Sequence, residues 1–287
     1  MVKAIMTLYN PGHDVISNIQ SILPQVDQLF LWDNSSTGNR SSFTFDSKII
    51  YRTTGKNLAL SGAFNSILKD ENYGWNNDDF VIFFDQDSFI KEGHIQQLID
   101  EYKRLLNLNC NVGCLGPVYY NINMDQTKLP KDKTYVTENS FTVKSIITSS
   151  MVVRYGDIKK IGFWNEKIFL DMADWDLCWR FIKADYKCVE TTASVLKHHL
   201  GTGGRKIGLL YLRKGAVFRE YYQTRNSLYL LHEKYTPLKF KIRFIYNMII
   251  RFPLRLIFLE NRKERLHYFI AGIVDFKKGL TGEYLGK

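Results

Sequence analysis

The chain has 287 residues, 45% of them hydrophobic and 24% charged, with 14% aromatic residues and a formal net charge of +10. That length can bury a sizeable core as one large α/β domain or one domain with an appendage, and the composition is that of an ordinary globular protein. No apolar stretch reaches the ~18–20 residues a membrane span requires, so a bilayer-crossing chain is excluded.

The charge is uneven. From Lys234 to Lys287 there are twelve Lys and Arg against four Asp and Glu, so most of the excess lies in the last fifth. Such asymmetry points to an anionic surface met by that segment, membrane or nucleic acid. Cys110, Cys114, Cys178 and Cys188 form no CxxC pair and no zinc-like spacing with His, which predicts reduced thiols in a cytosolic protein. The opening "MVKAIMTLYNPG" starts directly on a strand without a secretory pattern and predicts a protein that is not exported.

In chain order, "KAIMTLY" predicts a strand, "NPG" a turn and "DVISNIQSIL" a helix with Asp14 as its N-cap. "QLFLWDNSS" and "SKIIYRTT" predict the second and third strands. "LALSGAFNSILKD" is a helix opened by the Gly55-Lys56-Asn57 turn. "DDFVIFFDQD" is a fourth strand and "GHIQQLIDEYKRLLN" an amphipathic helix. This alternation predicts a doubly wound, mostly parallel sheet, with ligands beyond the carboxyl ends of its strands where the strand order reverses. Thr7, Tyr9, Asp33, Asp85 and Asp87 all fall on that rim.

The fourth strand is apolar throughout, yet it ends in Asp85 and Asp87. Two carboxylates one residue apart repel unless a cation sits between them, and hard divalent cations collect such oxygens. Capping of a helix beginning near Ile90 is the alternative. Farther on, "GCLGPVYY" and "VKSIITSSMVVR" predict strands, and the polar excursion 121–141 between them a loop or hairpin. Asp171, Asp174 and Asp176 then precede the helical pattern Trp175, Leu177, Cys178, Phe181 and Ile182. A first helical turn favours one or two acids through its dipole, and three exceed what capping requires. Asp176 is placed to pair with Arg180 one turn on.

Taken together, these residues resemble the family 2 glycosyltransferases, whose nucleotide-sugar-binding fold is called GT-A. The likeness covers most of residues 1–230 and leaves 231–287 as a basic, amphipathic helical appendage. "TLYNP" resembles the first-strand nucleotide contact, with Thr7, Tyr9 and Asn10, and "WDNSS" the second, with Asp33. "NLALSGAFN" is similar to the family's Asn-x-Gly helix start, with Asn57 first and Ala59 in place of the usual glycine. "DQD" is similar to the Asp-x-Asp metal motif. "ADWDLCWR" resembles the motif that supplies the catalytic base, here Asp174, with Asp171 as acceptor-orienting group or alternative base.

"HHLG", "REYYQTRNSLYLL" and "AGIVDFKKGLTG" are similar to elements of the rhamnosyltransferase branch. The resemblance implies an inverting transferase using Mn2+ or Mg2+, held by Asp85, Asp87 and His198, with Asp85 also facing the donor. The glycine-rich "GTGGRKIG" either closes over a donor diphosphate through its N–H groups and Arg205 or is a plain flexible loop; the resemblance adds Arg225 as a phosphate contact, although Arg225 in its aromatic helix also suits covering ring faces. The implied donor is dTDP-rhamnose or a UDP-sugar, hexosyl or galactofuranosyl. The implied acceptor is a saccharide, lipid-linked, in bacterial surface polysaccharide assembly. A nucleotidyltransferase would leave the acids near 174 without a task, and a nucleic-acid binder would not place acids at the strand ends.

In "PLKFKIRFIYNMIIRFPLRLIFLE", polar residues recur every four from Lys239 to Arg255, and Pro253 is expected to kink or divide the helix. Its apolar face suits an anionic membrane interface through 237–259, which places the enzyme at the cytoplasmic face of the cell membrane. Packing on the catalytic domain or on a second subunit, as a homodimer, is the competing use of that face.

Overall fold

The computed structural model describes residues 1–39, 43, 46–121, 126–127, 129–130, 133–198, 204–207 and 210–286. Strand β1 (Val2–Leu8) leads through α1 (Asp14–Ile22) to β2 (Gln28–Asp33) and β3 (Ile49–Thr53). Helix α2 (Ala59–Leu68), β4 (Phe80–Asp85), α3 (His94–Asn107) and β5 (Val112–Asn121) follow. Next come the short strands β6 (Gln126–Thr127) and β7 (Thr134–Tyr135), then β8 (Ser140–Val143) and β9 (Met151–Arg154). Helices α4 (Tyr155–Lys160) and α5 (Ala173–Lys183) precede β10 (Lys187–His198) and the pair β11 (Gly204–Ile207) and β12 (Leu210–Arg213). Four helices close the described chain, α6 (Arg219–His232), α7 (Leu238–Tyr246), α8 (Phe252–Phe258) and α9 (Arg262–Lys277).

The main sheet runs β3-β2-β1-β4-β9-β5-β10-β8-β7, with β6 beside β5. β3, β2, β1 and β4 are mutually parallel, β10 is parallel to β5, and β9 runs antiparallel between β4 and β5. From β1 the chain winds outward through β2 and β3 and then returns to place β4 on the other side. The order therefore reverses between β1 and β4, where Thr7 and Asp85 are register partners. An open α/β sheet binds its ligands at such a point.

Side chains alternate across β1. Ala4, Met6 and Leu8 join the core under α1 and α3, and Ile5 joins the core under α2, α4 and α5. β4 supplies Val81 and Phe83 to one layer and Ile82 and Phe84 to the other. A strand covered on both faces must be apolar throughout, which accounts for its unbroken run. The two layers also fix the helix faces, with Ile95, Leu98, Ile99, Tyr102 and Leu105 of α3 in one and Ala63, Phe64, Ile67 and Leu68 of α2 in the other.

Several expectations are corrected. Asp14 is the first helical residue rather than the cap, and the His13 position before it has no side-chain cap. The helix after the acidic pair begins at His94, too far from Asp85 and Asp87 for either to cap it. "VKSIITSSMVVR" is two strands, because the chain leaves β8 after Val143 and re-enters the sheet at Met151. β10 went unrecognised, since its centre reads "ETTAS" and a bulge interrupts its register between Thr191 and Val195. Cys114, Cys178 and Cys188 are distant in sequence but converge in the core with their Sγ atoms within 4.8 Å of one another.

The C-terminal rod is divided just before Pro253. A π-helical turn over Asn247–Arg251 joins α7 to α8 with a Phe252 N–H donating to the Asn247 carbonyl, and Pro253 sits in the first turn of α8. A wider turn absorbs the geometry that a proline imposes on the residues before it. Phe240, Phe244, Phe252 and Leu259 face inward. Phe240 packs edge-on to Trp175 and Trp179 of α5, and Phe252 stacks on Phe269 of α9. Of the cations spaced by four, Lys239 and Arg243 stay exposed while Arg251 and Arg255 turn partly inward. Arg243 lies over the Trp175 ring and Arg255 pairs with Glu220 at 3.1 Å. Apolar residues share the outer surface, with Leu238 71%, Ile242 60% and Ile249 61% exposed.

Candidate active site

Asp85 leaves β4 half-buried, and Ser149 Oγ donates to its Oδ2 at 2.7 Å. Ser149 is itself paired with Ser88 Oγ at 3.0 Å and precedes Ser150, whose φ of 65° is left-handed. Ser150 is anchored from behind, its N–H donating to the Phe83 carbonyl and its Oγ lying 3.0 Å from His94 Nε2. His94 Nδ1 lies 2.7 Å from Ser194 Oγ, and burial pushes its pKa down to about 4, so the ring is neutral. A rigid hydroxyl-imidazole network thus aims Ser149 at Asp85.

Asp87 is exposed. Between the two acids, Gln86 accepts from the Tyr9 N–H through Oε1 and from Asn18 Nδ2 through its carbonyl, both at 2.7 Å. The loop after β4 is thereby fastened to the loop after β1. Two carboxylates at a strand exit are an all-oxygen donor set that fits Mg2+ or Mn2+.

The second acidic cluster lies at the start of α5. Asp171 and Met172 are consecutive left-handed residues, φ 57° and 67°, a costly backbone that must be held by its surroundings. α6 holds it. Asn226 Nδ2 donates to the carbonyls of Leu170 and Asp171, and Arg219 forks both oxygens of Asp171, with Nε at 3.2 Å from Oδ2. Gln223 Nε2 adds a contact to Oδ2 at 3.3 Å.

Asp174, in the first turn of α5, accepts from the Trp175 N–H at 2.9 Å. Its pKa is pushed up to about 7, first by burial, then by neighbouring Cys178 and by the charges of Asp85 and Asp171. The three acids therefore share one electrostatic neighbourhood. Asp176 belongs to the scaffold instead. It is fully buried and accepts from Arg180 Nε at 2.8 Å, Asn165 Nδ2 at 3.0 Å and Tyr235 OH at 2.6 Å.

Thr7 sits buried at the end of β1, while Tyr9 is exposed and Asn10, φ 44°, donates its N–H to Ser35 Oγ at 2.7 Å. Asp33 is fully buried and organises the loop after β2. It accepts from Ser35 N–H, from the Asn39 backbone and side chain, and from Tyr51 OH at 2.5 Å. Those bonds outweigh burial and hold its pKa below the usual carboxylate value. Asn57 Oδ1 accepts from the Ala59 N–H at 2.9 Å. Ala59 has φ 50°, a left-handed conformation that glycine adopts more readily than alanine.

A cleft of about 890 Å³ opens from Tyr9, Asn10 and Asn34 along the start of α2 to Phe169. Asp85, Asp87 and Asp174 do not line it; the Gln86–Tyr9 contact ties the loop after β4 to one end, and Phe169 at the other precedes the Asp171 loop in sequence.

The phosphate role expected of Arg225 is corrected. Its side chain is fully buried, donates to Tyr221 OH and to the Gly282 carbonyl, both at 2.8 Å, and stacks over Tyr221 and Tyr222. Covering ring faces is what it does. His198 ends β10 opposite Asn121, and Arg205 lies in β11 opposite Leu212. The side chains of both lie outside the described residues, as do residues 199–203 and 208–209, which include part of the glycine-rich segment. Ser149, Gln86 and Arg219 are contacts that the sequence did not announce, since each meets its partner from another element without a spacing rule.

Residues 4–157, more than half of the chain, match the family model described as glycosyl transferase family 2. The chain belongs to that family. Solved structures similar to this family 2 protein include GalNAc-T7 crystallised with UDP, GalNAc and Mn2+, at 8% identity and a TM-score of 0.56 over 89% of this chain. This chain covers only 57% of that one. S. aureus TarS 1-349 is similar at 12% identity and a TM-score of 0.54, over 96% of this chain and 80% of the other. Identities this low establish the GT-A fold alone. Among curated proteins, none matches the family 2 chain.

Proposed function

We propose that the protein is an inverting, metal-dependent glycosyltransferase that moves a sugar from a nucleotide donor to a saccharide hydroxyl. One observation carries this reading. Asp85 leaves the strand beside the reversal of strand order, and Asp174 opens α5 near enough to feel its charge. Asp85 and Asp87 are the residues that would hold Mg2+ or Mn2+, with His198 as a further ligand from the end of β10. When bound, the ion supplies Lewis-acid stabilisation for the charge gathering on the departing diphosphate. The Mn2+ in the GalNAc-T7 crystal supports this choice of ion.

Asp174 is the base. A carboxylate titrating near neutrality accepts a proton effectively while staying ionised above that pH. It removes the acceptor hydroxyl's proton as the oxygen attacks the anomeric carbon, and the bond from that carbon to the diphosphate breaks with inversion. Asp171, held by Arg219, orients the acceptor. Tyr9, Asn10 and Asn57 border the donor's place in the cleft, Thr7 reaches the donor from the end of β1, Asp33 shapes the loop after β2, and Arg205 meets the diphosphate.

The donor we favour is dTDP-rhamnose, on the likeness of "YYQTRN" and "AGIVDFKKGLTG" to the rhamnosyltransferase branch. A UDP-sugar is the competing donor, supported by the UDP in GalNAc-T7. Residues 1–230 form the catalytic unit and 231–287 an appendage whose Thr281, Gly282, Glu283 and Leu285 return to line its cleft. The exposed stripe Leu238, Ile242, Ile245 and Ile249 on α7 and the turn after it supports peripheral contact with an anionic bilayer at the cytoplasmic face, where a lipid-linked acceptor would lie. Among the described residues no helix is long and apolar enough to cross a membrane. Calorimetry with dTDP-, UDP- and GDP-sugars, with and without Mn2+, tests the proposal. Metal-dependent binding of one nucleotide class is expected, and binding of none would overturn it.

A further inference from the structure

The closing motif "AGIVDFKKGLTG" has a physical duty at each of its distinctive residues. Gly272 of α9 lies against α6, where an added Cβ would stand 2.7 Å from the Tyr221 carbonyl oxygen. Asp275 accepts from Tyr221 OH at 2.7 Å. Gly279, φ 71°, turns the chain out of α9, and Gly282, φ 81°, presents its carbonyl to Arg225. Tyr229 OH donates to the Leu280 carbonyl at 2.9 Å, and the Tyr284 N–H donates to Tyr222 OH at 3.0 Å. These bonds fix the segment after α9 as one wall of the cleft that begins at Tyr9.

Within that wall Glu283 faces the start of α2, its Oε1 3.5 Å from Asn57 Nδ2. The other side of the Asn57 amide is engaged by the Ala59 N–H, which sets the direction of its NH2 group. Phe169, stacked on Tyr222 with ring centroids 5.3 Å apart, lines the same void. An anionic acceptor, an amide donor and a largely buried aromatic wall around one cavity match a pyranose ring, which offers hydroxyls at its edge and C–H groups for apolar contact.

We propose that Glu283, Asn57 and Phe169 form a saccharide subsite, with Leu280–Leu285 as its fixed wall. The subsite rests on the glycosyl-transfer reading and extends it. The shared ligand chemistry is a sugar ring, carried either by the donor or by the acceptor.

The full chain and its Glu283→Ala and Glu283→Gln variants decide the matter. Saturation-transfer NMR with rhamnose, galactose and N-acetylglucosamine is run beside calorimetry of dTDP, UDP and their sugar conjugates. For at least one free sugar or sugar conjugate, Glu283→Ala is expected to weaken binding roughly tenfold, the worth of one hydrogen bond to a charged group. Glu283→Gln, which keeps an acceptor oxygen, loses less. Free nucleoside diphosphate affinity stays within about twofold and Tm within about 2 °C. Loss confined to the sugar conjugates identifies the donor's ring, and loss confined to free sugars identifies the acceptor's. Unchanged sugar binding in Glu283→Ala, or absence of any sugar binding by the unmodified chain, overturns the subsite. Failure of the unmodified chain to bind any nucleotide overturns the transferase reading instead, and the free-sugar arm still judges the subsite.

Discussion

Replacing Asp174 with Asn tests the proposed base through stability as well as rate. The side chain keeps its shape and loses its charge. A carboxyl moved from 3.8 to about 7 is disfavoured by roughly 4 kcal/mol when ionised in the folded state. Half-burial and solvent screening reduce the recoverable part to about 1–2 kcal/mol. The sign follows from proton linkage. The folded state holds this proton more tightly than the unfolded chain, so the ionised group destabilises progressively as pH rises from about 4 to 7 and fully above that. Asp174→Asn is therefore expected to raise Tm by roughly 3–6 °C at pH 8, with little gain near pH 4. Turnover should fall by at least about 10²–10⁴-fold, the usual worth of a positioned base. Scanning fluorimetry across pH in EDTA, which strips any bound divalent ion, is paired with a donor-consumption assay. An unaltered Tm at pH 8, or turnover within about threefold of the unmodified enzyme, would place the base elsewhere.

Four other outcomes follow from the same geometry. Asp85→Asn should abolish transfer, whereas Ser149→Ala should weaken the Mn2+ response about 10–100-fold, as for other groups that orient a metal ligand; a metal titration of activity measures both. Arg219→Ala should cost turnover about tenfold or more while lowering Tm by less than about 3 °C, because its pair with Asp171 is half-exposed. Ala59→Gly relieves a left-handed alanine worth about 1 kcal/mol but removes a buried methyl worth about 0.8 kcal/mol, so urea denaturation should show a change below about 1 kcal/mol. Ile242→Asp with Ile249→Asp should end co-flotation with anionic liposomes at low salt, and absence of flotation by the unmodified chain would remove the membrane contact altogether.

The parallel half of the fold was legible because its signals are local. β4 shows its burial in five consecutive apolar residues, and Asn57 shows the start of α2 in its own side chain. The acids were legible too, as paired or clustered carboxylates at element ends. Much of what makes them a site was not. Ser149 reaches Asp85 across 64 residues and Arg219 reaches Asp171 across 48, and no periodicity encodes such a meeting. Arg225 misled for the same reason: nothing in "QTRNSLY" tells that the Tyr221 ring and the Gly282 carbonyl enclose the guanidinium. In the C-terminal rod the interval of four marks a drifting polar stripe, but which of its cations turn inward depends on the docking of Phe240 and Phe252, a tertiary fact.

α6 acts as a beam shared by two tenants. Arg219, Gln223 and Asn226 support the Asp171 loop, while the Tyr221–Thr224 stretch receives Gly272 of α9 at a separation that leaves no space for a methyl group. A saturation mutagenesis survey should therefore score Gly272 among the activity-critical positions although it touches no substrate. A displacement of α9 is passed through α6 to the Asp171 loop.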